Sequence, residues 1–204
     1  MLGLVVLAAV VTGGIALAGD LAAQPAPPPA PKAAVLPAEL AKNFAVLSEG
    51  TASGVASIGS PGVESKAATA IEESSEGINA QFGGSASLAR EVTYGSQHVW
   101  VIPGSAGICI HDFETGSGAC GPIAHAVTGD ITLDVGGNEN GIAGGGTIYG
   151  LAPDGNSMVL VHDANGSTEN VPVEHNVYII KHPGAVSVDL VNASGKQQSI
   201  ELPG

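Results

Sequence analysis

Between Met158 and Leu202 apolar residues recur with a period of two, and the pattern is written twice. Val159 and Val161 alternate with their neighbours, Asn165-Gly166 interrupts, and Val171 and Val173 alternate back. Twenty-nine residues further on (188 − 159 = 29), Val188, Leu190, Gly195, Ile200 and Leu202 occupy the same places. Successive side chains of a strand point to opposite faces, so each segment offers one face to a core and one to water. Asn-Gly is the strongest short hairpin signal, because a type I′ turn needs positive φ at both central residues. The pattern therefore predicts two consecutive β-hairpins. A hairpin alone is marginal in water, so both are expected to join a larger sheet.

The same reading extends upstream to about Val92. Residues 98–102 form a strand ended by the turn dipeptide Pro103-Gly104, and residues 108–113 form the next. Residues 115–118 turn, and 119–121 run back. Ile131, Leu133 and Val135 alternate with Thr132 and Asp134. Residues 136–146 read as a Gly- and Asn-rich loop, 147–151 as a strand, 153–156 as a turn, and 176–180 as a strand between the two hairpins. Short strands with turn signals about every ten residues predict a mainly β fold. The expected architecture is a β-sandwich or an open barrel of antiparallel strands over residues 92–204.

The period changes towards the N-terminus. Leu40, Phe44 and Leu47 fall at i, i+4 and i+7, which predicts a helix over residues 37–47 with Pro37 in its first turn. Residues 48–87 are rich in Ser, Ala, Gly and Glu. One short helix is expected over 61–76, with Ser60 as N-cap and Gly77 as stop, in a region loosely draped over the sheet. Together residues 38–91 make a segment of short helices and low complexity. Residues 24–37, QPAPPPAPKAAVLP, favour extended polyproline II and read as a stalk.

Residues 2–19 carry no charge and are dominated by Leu, Val, Ala, Ile and Gly. About 20 apolar residues cross a bilayer as a helix. Residues 1–23 thus read as a membrane anchor, or as a signal peptide cleaved near Ala16-Leu17-Ala18 or Leu21-Ala22-Ala23. The expected location is membrane-anchored and extracytoplasmic, or secreted if the segment is cleaved.

Composition sharpens this picture. Of 204 residues 44% are hydrophobic but only 3% aromatic, so the core must be built mostly from Val, Ile, Leu and Ala. The formal net charge is −13, with 6 Lys and Arg against 19 Asp and Glu. No basic cluster exists to displace counterions and few rings exist to stack on bases, which excludes a nucleic-acid binder. Cys109 and Cys120 lie across a predicted hairpin. In an exported chain such a pair is expected to form a structural disulfide. The alternative, a redox pair, normally has Cys-X-X-Cys spacing at a helix start.

Candidate chemistry is thin. Six histidines, His98, His111, His125, His162, His175 and His182, raise a metal reading, and two precede an aspartate in His111-Asp112 and His162-Asp163. Both pairs lie in predicted strands, where adjacent side chains face opposite sides and cannot share an ion. Zinc needs three or four converging ligands, and no spacing here supplies them. His98 and His111 alone are placed to face each other across neighbouring strands. Residues 134–141, DVGGNENG, offer oxygen ligands without EF-hand spacing. Gly144-Gly145-Gly146-Thr147 lacks the lysine and helix of a P-loop, and no Gly-X-Ser-X-Gly elbow occurs. Asn165-Gly166-Ser167 and Asn192-Ala193-Ser194 match the glycosylation pattern, which counts only in a eukaryotic secretory path. No catalytic, cofactor-binding or metal residue is assigned.

The runs WVIPG and GICI, the paired cysteines, IYGLAPDG, VPVEHNVYII and the closing hairpin resemble a group of uncharacterised actinobacterial exported or membrane-anchored proteins. The resemblance spans residues 37–202 loosely. It implies a compartment and a disulfide-bridged β architecture, and it brings no catalytic residue with it. The expected function is non-enzymatic: an envelope β domain with a protein-interaction or structural role. Its partners would be the membrane, through the N-terminal segment, and another envelope protein. The alternative is a metal-dependent extracytoplasmic enzyme using some of the histidines.

Overall fold

The computed structural model describes residues 34–48, 55–57, 69, 81–135, 146–181, 184–195 and 197–202. The apolar segment 2–19, all but the last four residues of the stalk, the helix expected over 61–76, most of the loop 136–146, and His182 lie outside the described residues. The chain runs through α1 (Ala38–Asn43), α2 (Ala45–Ser48), β1 (Val55–Ser57), β2 (Arg90–Tyr94), β3 (Gln97–Pro103), β4 (Gly107–Asp112) and β5 (Ser117–Pro122). It continues through α3 (Ile123–Ala126), β6 (Thr132–Val135), β7 (Thr147–Leu151), β8 (Asn156–Asp163), β9 (Thr168–Pro172), β10 (Val177–Ile180), β11 (Ala185–Asn192) and β12 (Gln197–Glu201). Among the described residues no helix is long and apolar enough to cross a membrane.

The two C-terminal hairpins, β8–β9 and β11–β12, pair with each other into a four-stranded sheet of order β12-β11-β8-β9. Their sequence repeat is also a spatial one. Leu160 pairs with Asp189, its own counterpart 29 residues on (189 − 160 = 29). Ala164 N–H donates to the Gly184 carbonyl, and Ala193 N–H to that of Gly155. Val173 N–H donates to the Ser157 carbonyl, and Leu202 N–H to that of Val186. Each bond maps onto its mate under the same offset, so the sheet has a pseudo-two-fold axis between β8 and β11.

The turn differs from the expected type I′. Only Gly166 has positive φ; Asn165 does not. Gly166 N–H closes on the Asp163 carbonyl at 2.9 Å and Asp163 N–H on that of Ser167 at 3.0 Å. This leaves a three-residue loop with glycine in the left-handed position. The two consecutive positive φ values fall instead at His175 (49°) and Asn176 (65°), where Glu174 and Val177 bond both ways.

All strand pairs are antiparallel. Besides the sheet just described there is a five-stranded sheet, β1-β2-β3-β4-β5, and a three-stranded one, β10-β7-β6. In the three-stranded sheet β7 and β10 are buried on both faces. Tyr149, Leu151, Val177 and Ile179 join one core with Val99, Val101, Ile108 and Ile110 of the five-stranded sheet. Ile148, Tyr178 and Ile180 join a second core with Val159, Val161, Val188 and Leu190. Strands covered on both sides read as continuous apolar runs, which explains Ile148-Tyr149-Gly150-Leu151 and Val177-Tyr178-Ile179-Ile180. The Tyr178 ring lies flat over its strand partner Gly150, where any Cβ would collide with it. The result is a sandwich-like stack of sheets. β6 runs beside β5 and β10 beside β2, without closing a barrel.

Leu40, Phe44 and Leu47 are buried, as their spacing predicts. Phe44 itself leaves helical geometry (φ −135°), which splits the expected helix into α1 and α2. Both helices sit in the first core and belong with the strands to one compact unit, Ala33–Gly204. On the outer face of the five-stranded sheet, Trp100, Ile102 and Cys109 form a third cluster with Ala86, Ala89 and Phe113.

Candidate functional site

Cys109 and Cys120 are direct partners on β4 and β5, with Cα atoms 4.1 Å apart, and they are joined as a disulfide. A separation this short is typical of the non-hydrogen-bonded pair of an antiparallel ladder, where side chains stand closest. The bridge lies beside Trp100, inside the third cluster.

The histidines are engaged singly. His98 Nδ1 lies 3.2 Å from Glu91, His125 Nδ1 3.1 Å from Asp130, and His162 Nε2 2.8 Å from Asp189. His111 stacks on Phe113 with ring centroids 4.2 Å apart, above Gly118. Burial lowers its pKa, outweighing the upward pull of the Asp112 carboxylate and backbone. His175 occupies the first left-handed position of the turn. His98 and His111 share the outer face through Trp100, but His98 turns to Glu91 and His111 to Phe113. Among the described residues no three His, Cys, Asp or Glu side chains converge as a metal site would require.

The His-Asp dipeptides split as strand geometry dictates. His111 faces outward while Asp112 points inward, where its Oδ2 accepts from Tyr149 O–H at 2.9 Å. Gln97 Nε2 donates to the same tyrosine oxygen at 2.8 Å. Burial and the Asp112 carboxylate push the Tyr149 phenol well up, so it remains a donor. His162 meets Asp189 across the sheet, and Asp163 Oδ2 takes Ser167. Burial raises the Asp189 carboxyl, but hydrogen bonds from His162 and Ser199 and the nearby imidazole outweigh it and hold the group below its usual range. Asp189 lies between Ser199 and His162, the reverse of a hydrolase triad, in which the histidine stands between the acid and the nucleophile.

Sequence reasoning missed Asn176 and Asp154. Asn176 is buried, and its Oδ1 accepts from Val46 N–H at 3.1 Å. Its Nδ2 donates to the Ala152 carbonyl at 2.9 Å and to Asp154 Oδ1 at 2.8 Å. Asp154 Oδ1 also accepts from Ala45 N–H at 3.0 Å. The pair thus fastens α2 to the sheets. The available signal was an Asn just before an apolar strand, since Asn tolerates the left-handed region better than other non-glycine residues.

One cleft of about 420 Å³ is large enough for a ligand or peptide. The β2–β3 turn (Tyr94, Ser96), the edge strand β9 (Glu169, Asn170) and the end of β10 (Ile179, Lys181) line it. Tyr94 O–H donates to the Pro172 carbonyl at 3.0 Å and ties two of its walls together. Comparison with known protein families, with curated proteins and with solved structures returns no match for this chain.

Proposed function

We propose that this protein is a non-enzymatic, extracytoplasmic β module that is held at or exported across the membrane by its apolar N-terminal segment and acts by surface contact with another envelope protein. The observation that carries the reading is the disulfide between Cys109 and Cys120. Such bridges persist in oxidising compartments and are rare in a reducing cytosol. A bridge closing a loop of this size stabilises by about 3 kcal/mol. That is a large contribution for a core with few aromatic rings. Three of the histidines each set one ring nitrogen against a single carboxylate, His98 against Glu91, His125 against Asp130 and His162 against Asp189. The resemblance to actinobacterial exported proteins agrees in compartment and architecture.

The test is mass spectrometry of unreduced protein from fractionated native cells. The linked Cys109–Cys120 peptide is expected in the membrane or secreted fraction, sensitive to protease added outside the cell. Recovery of both cysteines as free thiols in the soluble cytosolic fraction overturns the reading.

A further inference from the structure

Between two fixed ends, β5 is a strap that buries very little of its own. At one end Asp112 Oδ1 accepts from Glu114 N–H at 2.8 Å and from Thr115 N–H at 3.3 Å, and Tyr149 holds the other oxygen of the same carboxylate. At the far end Ile123 N–H donates to the Ala106 carbonyl at 3.3 Å, and Ala126 is buried in the first core. Residues 116–121 between these points read GSGACG. Ala119 adds one methyl to the first core, and the His111 ring rests on Gly118 from β4. The strap is the last strand of its sheet, paired with β4, and β6 runs beside it. Glycine loses more conformational freedom on ordering than any other residue, and three of these six are glycine. The disulfide ties the middle of the strap, Cys120, to Cys109 on a strand that is buried from Gly107 to Ile110. The two half-cystines differ in access. Cys109 is 1% exposed in the third cluster with Trp100 and Ile102, whereas Cys120 is half-buried at the margin of that cluster.

We propose that the Cys109–Cys120 bridge is a redox latch, which a dithiol opens to release residues 116–121 from β4 while the rest of the fold stands. The surface along β4 then depends on redox state. A thiolate of the dithiol attacks Cys120 Sγ, the more accessible sulfur, and forms a mixed disulfide there. The bond to Cys109 breaks, and its electron pair leaves on Cys109 Sγ, which takes up a proton because its apolar surroundings disfavour the thiolate. The second thiol of the reductant, as thiolate, displaces Cys120 Sγ, which takes up the other proton. The dithiol ends as a cyclic disulfide, and its two protons end on the two cysteines. A dithiol is favoured over a monothiol because its second attack is intramolecular. With the bridge open, the strap keeps the Ala119 methyl, the His111 contact and its backbone pairing against the entropy of its glycines. Asp112 and α3 still hold its two ends, so the opening is confined between them.

The test is hydrogen exchange of the full chain in detergent micelles, read by mass spectrometry before and after dithiothreitol, with alkylation to count the thiols. On reduction the amides of residues 116–121 are expected to exchange at least about tenfold faster, with those of β8 and β11 unchanged. Removing the reductant in air restores the protection. In Cys109→Ala/Cys120→Ala the same residues exchange fast with or without dithiothreitol, and β8 and β11 keep the parent's rates. Cys109→Ala alone leaves a Cys120 that takes up glutathione from its disulfide, whereas in Cys120→Ala the remaining Cys109 stays unlabelled. Unchanged exchange over residues 116–121 after complete reduction overturns the proposal. So does loss of protection in every strand, of the reduced parent or of the double variant, which makes the bridge a staple of the whole fold. Failure of dithiothreitol to open the bridge without denaturant, or glutathione labelling of Cys109 as fast as of Cys120, overturns it too. The latch goes beyond the surface-contact reading and does not need its compartment. Free thiols in the fractionation test would leave these results standing, so the two fail separately.

Discussion

His111 shows how one side chain can set a pH dependence. Its ring is half-buried between Phe113 and Gly118, and its Nδ1 is buried with no hydrogen-bond partner among the described residues. Burial disfavours the charged ring more than the Asp112 carboxylate and backbone favour it, so the pKa lies below its ordinary 6.5. The unfolded chain then binds the proton more readily than the folded one. Stability from this group is fully present above pH 6.5 and is lost as pH falls towards the depressed folded value. Equilibrium unfolding at stepped pH is expected to show this loss in the parent and its absence in His111→Phe, which keeps the stack on Phe113. Asn176 is the other decisive residue. Asn176→Ala removes its side-chain hydrogen bonds to Val46, Ala152 and Asp154 and leaves an alanine at positive φ, a loss of about 3 kcal/mol in denaturant unfolding. Asn176→Gly is expected to recover about 1 kcal/mol of this, the part owed to backbone geometry.

At the scale of elements, the pairing of β7 with β10 depends on a contact between a small and a large residue. A Cβ on Gly150 would stand 2.0 Å from Tyr178 Cζ, and the ring, buried in the second core, has nowhere to move. Gly150→Ala is expected to cost about 2 kcal/mol by overpacking. Adding Tyr178→Leu should return much of that loss, so a double-mutant cycle read by thermal unfolding should give a coupling of about 1 kcal/mol or more. Additive losses would show that the two residues do not oppose each other. The same two strands show why only part of the fold was legible in the sequence. Period-two alternation marks strands with one wet face, so β8, β9, β11 and β12 and their 29-residue repeat could be read directly. A strand covered on both sides loses that alternation, so β7 and β10 could be found but not placed between two cores. The bridge was legible because its partners lie on adjacent strands. The cleft was not, because its walls come from three segments far apart in sequence.

For the whole molecule, the question is where the folded unit begins. The composition change near Val92 suggests a β domain starting there, with everything upstream loosely attached. The core argues for an earlier start. Leu40, Phe44, Val46 and Leu47 are buried among Val99, Ile108, Leu151 and Val177, and the Asn176–Asp154 pair bonds the backbone of α2 directly. Removing them would expose the apolar lining of the first core and leave Asn176 and Asp154 short of partners in a half-buried site. Burying a side chain of that size stabilises by about 2 kcal/mol, so four of them exceed half of a typical domain's net stability. A chain beginning at Ala33, the start of the compact unit, is therefore expected to unfold cooperatively in urea. A chain beginning at Gly50 should lose that cooperativity and bind a hydrophobic dye while retaining β-rich circular dichroism. Adding residues 33–49 back as a separate peptide should restore the transition in the parent sequence but not in Asn176→Ala. Cooperative unfolding of the shorter chain at unchanged midpoint would instead place the boundary near Val92 and reduce α1 and α2 to passengers on the sheets.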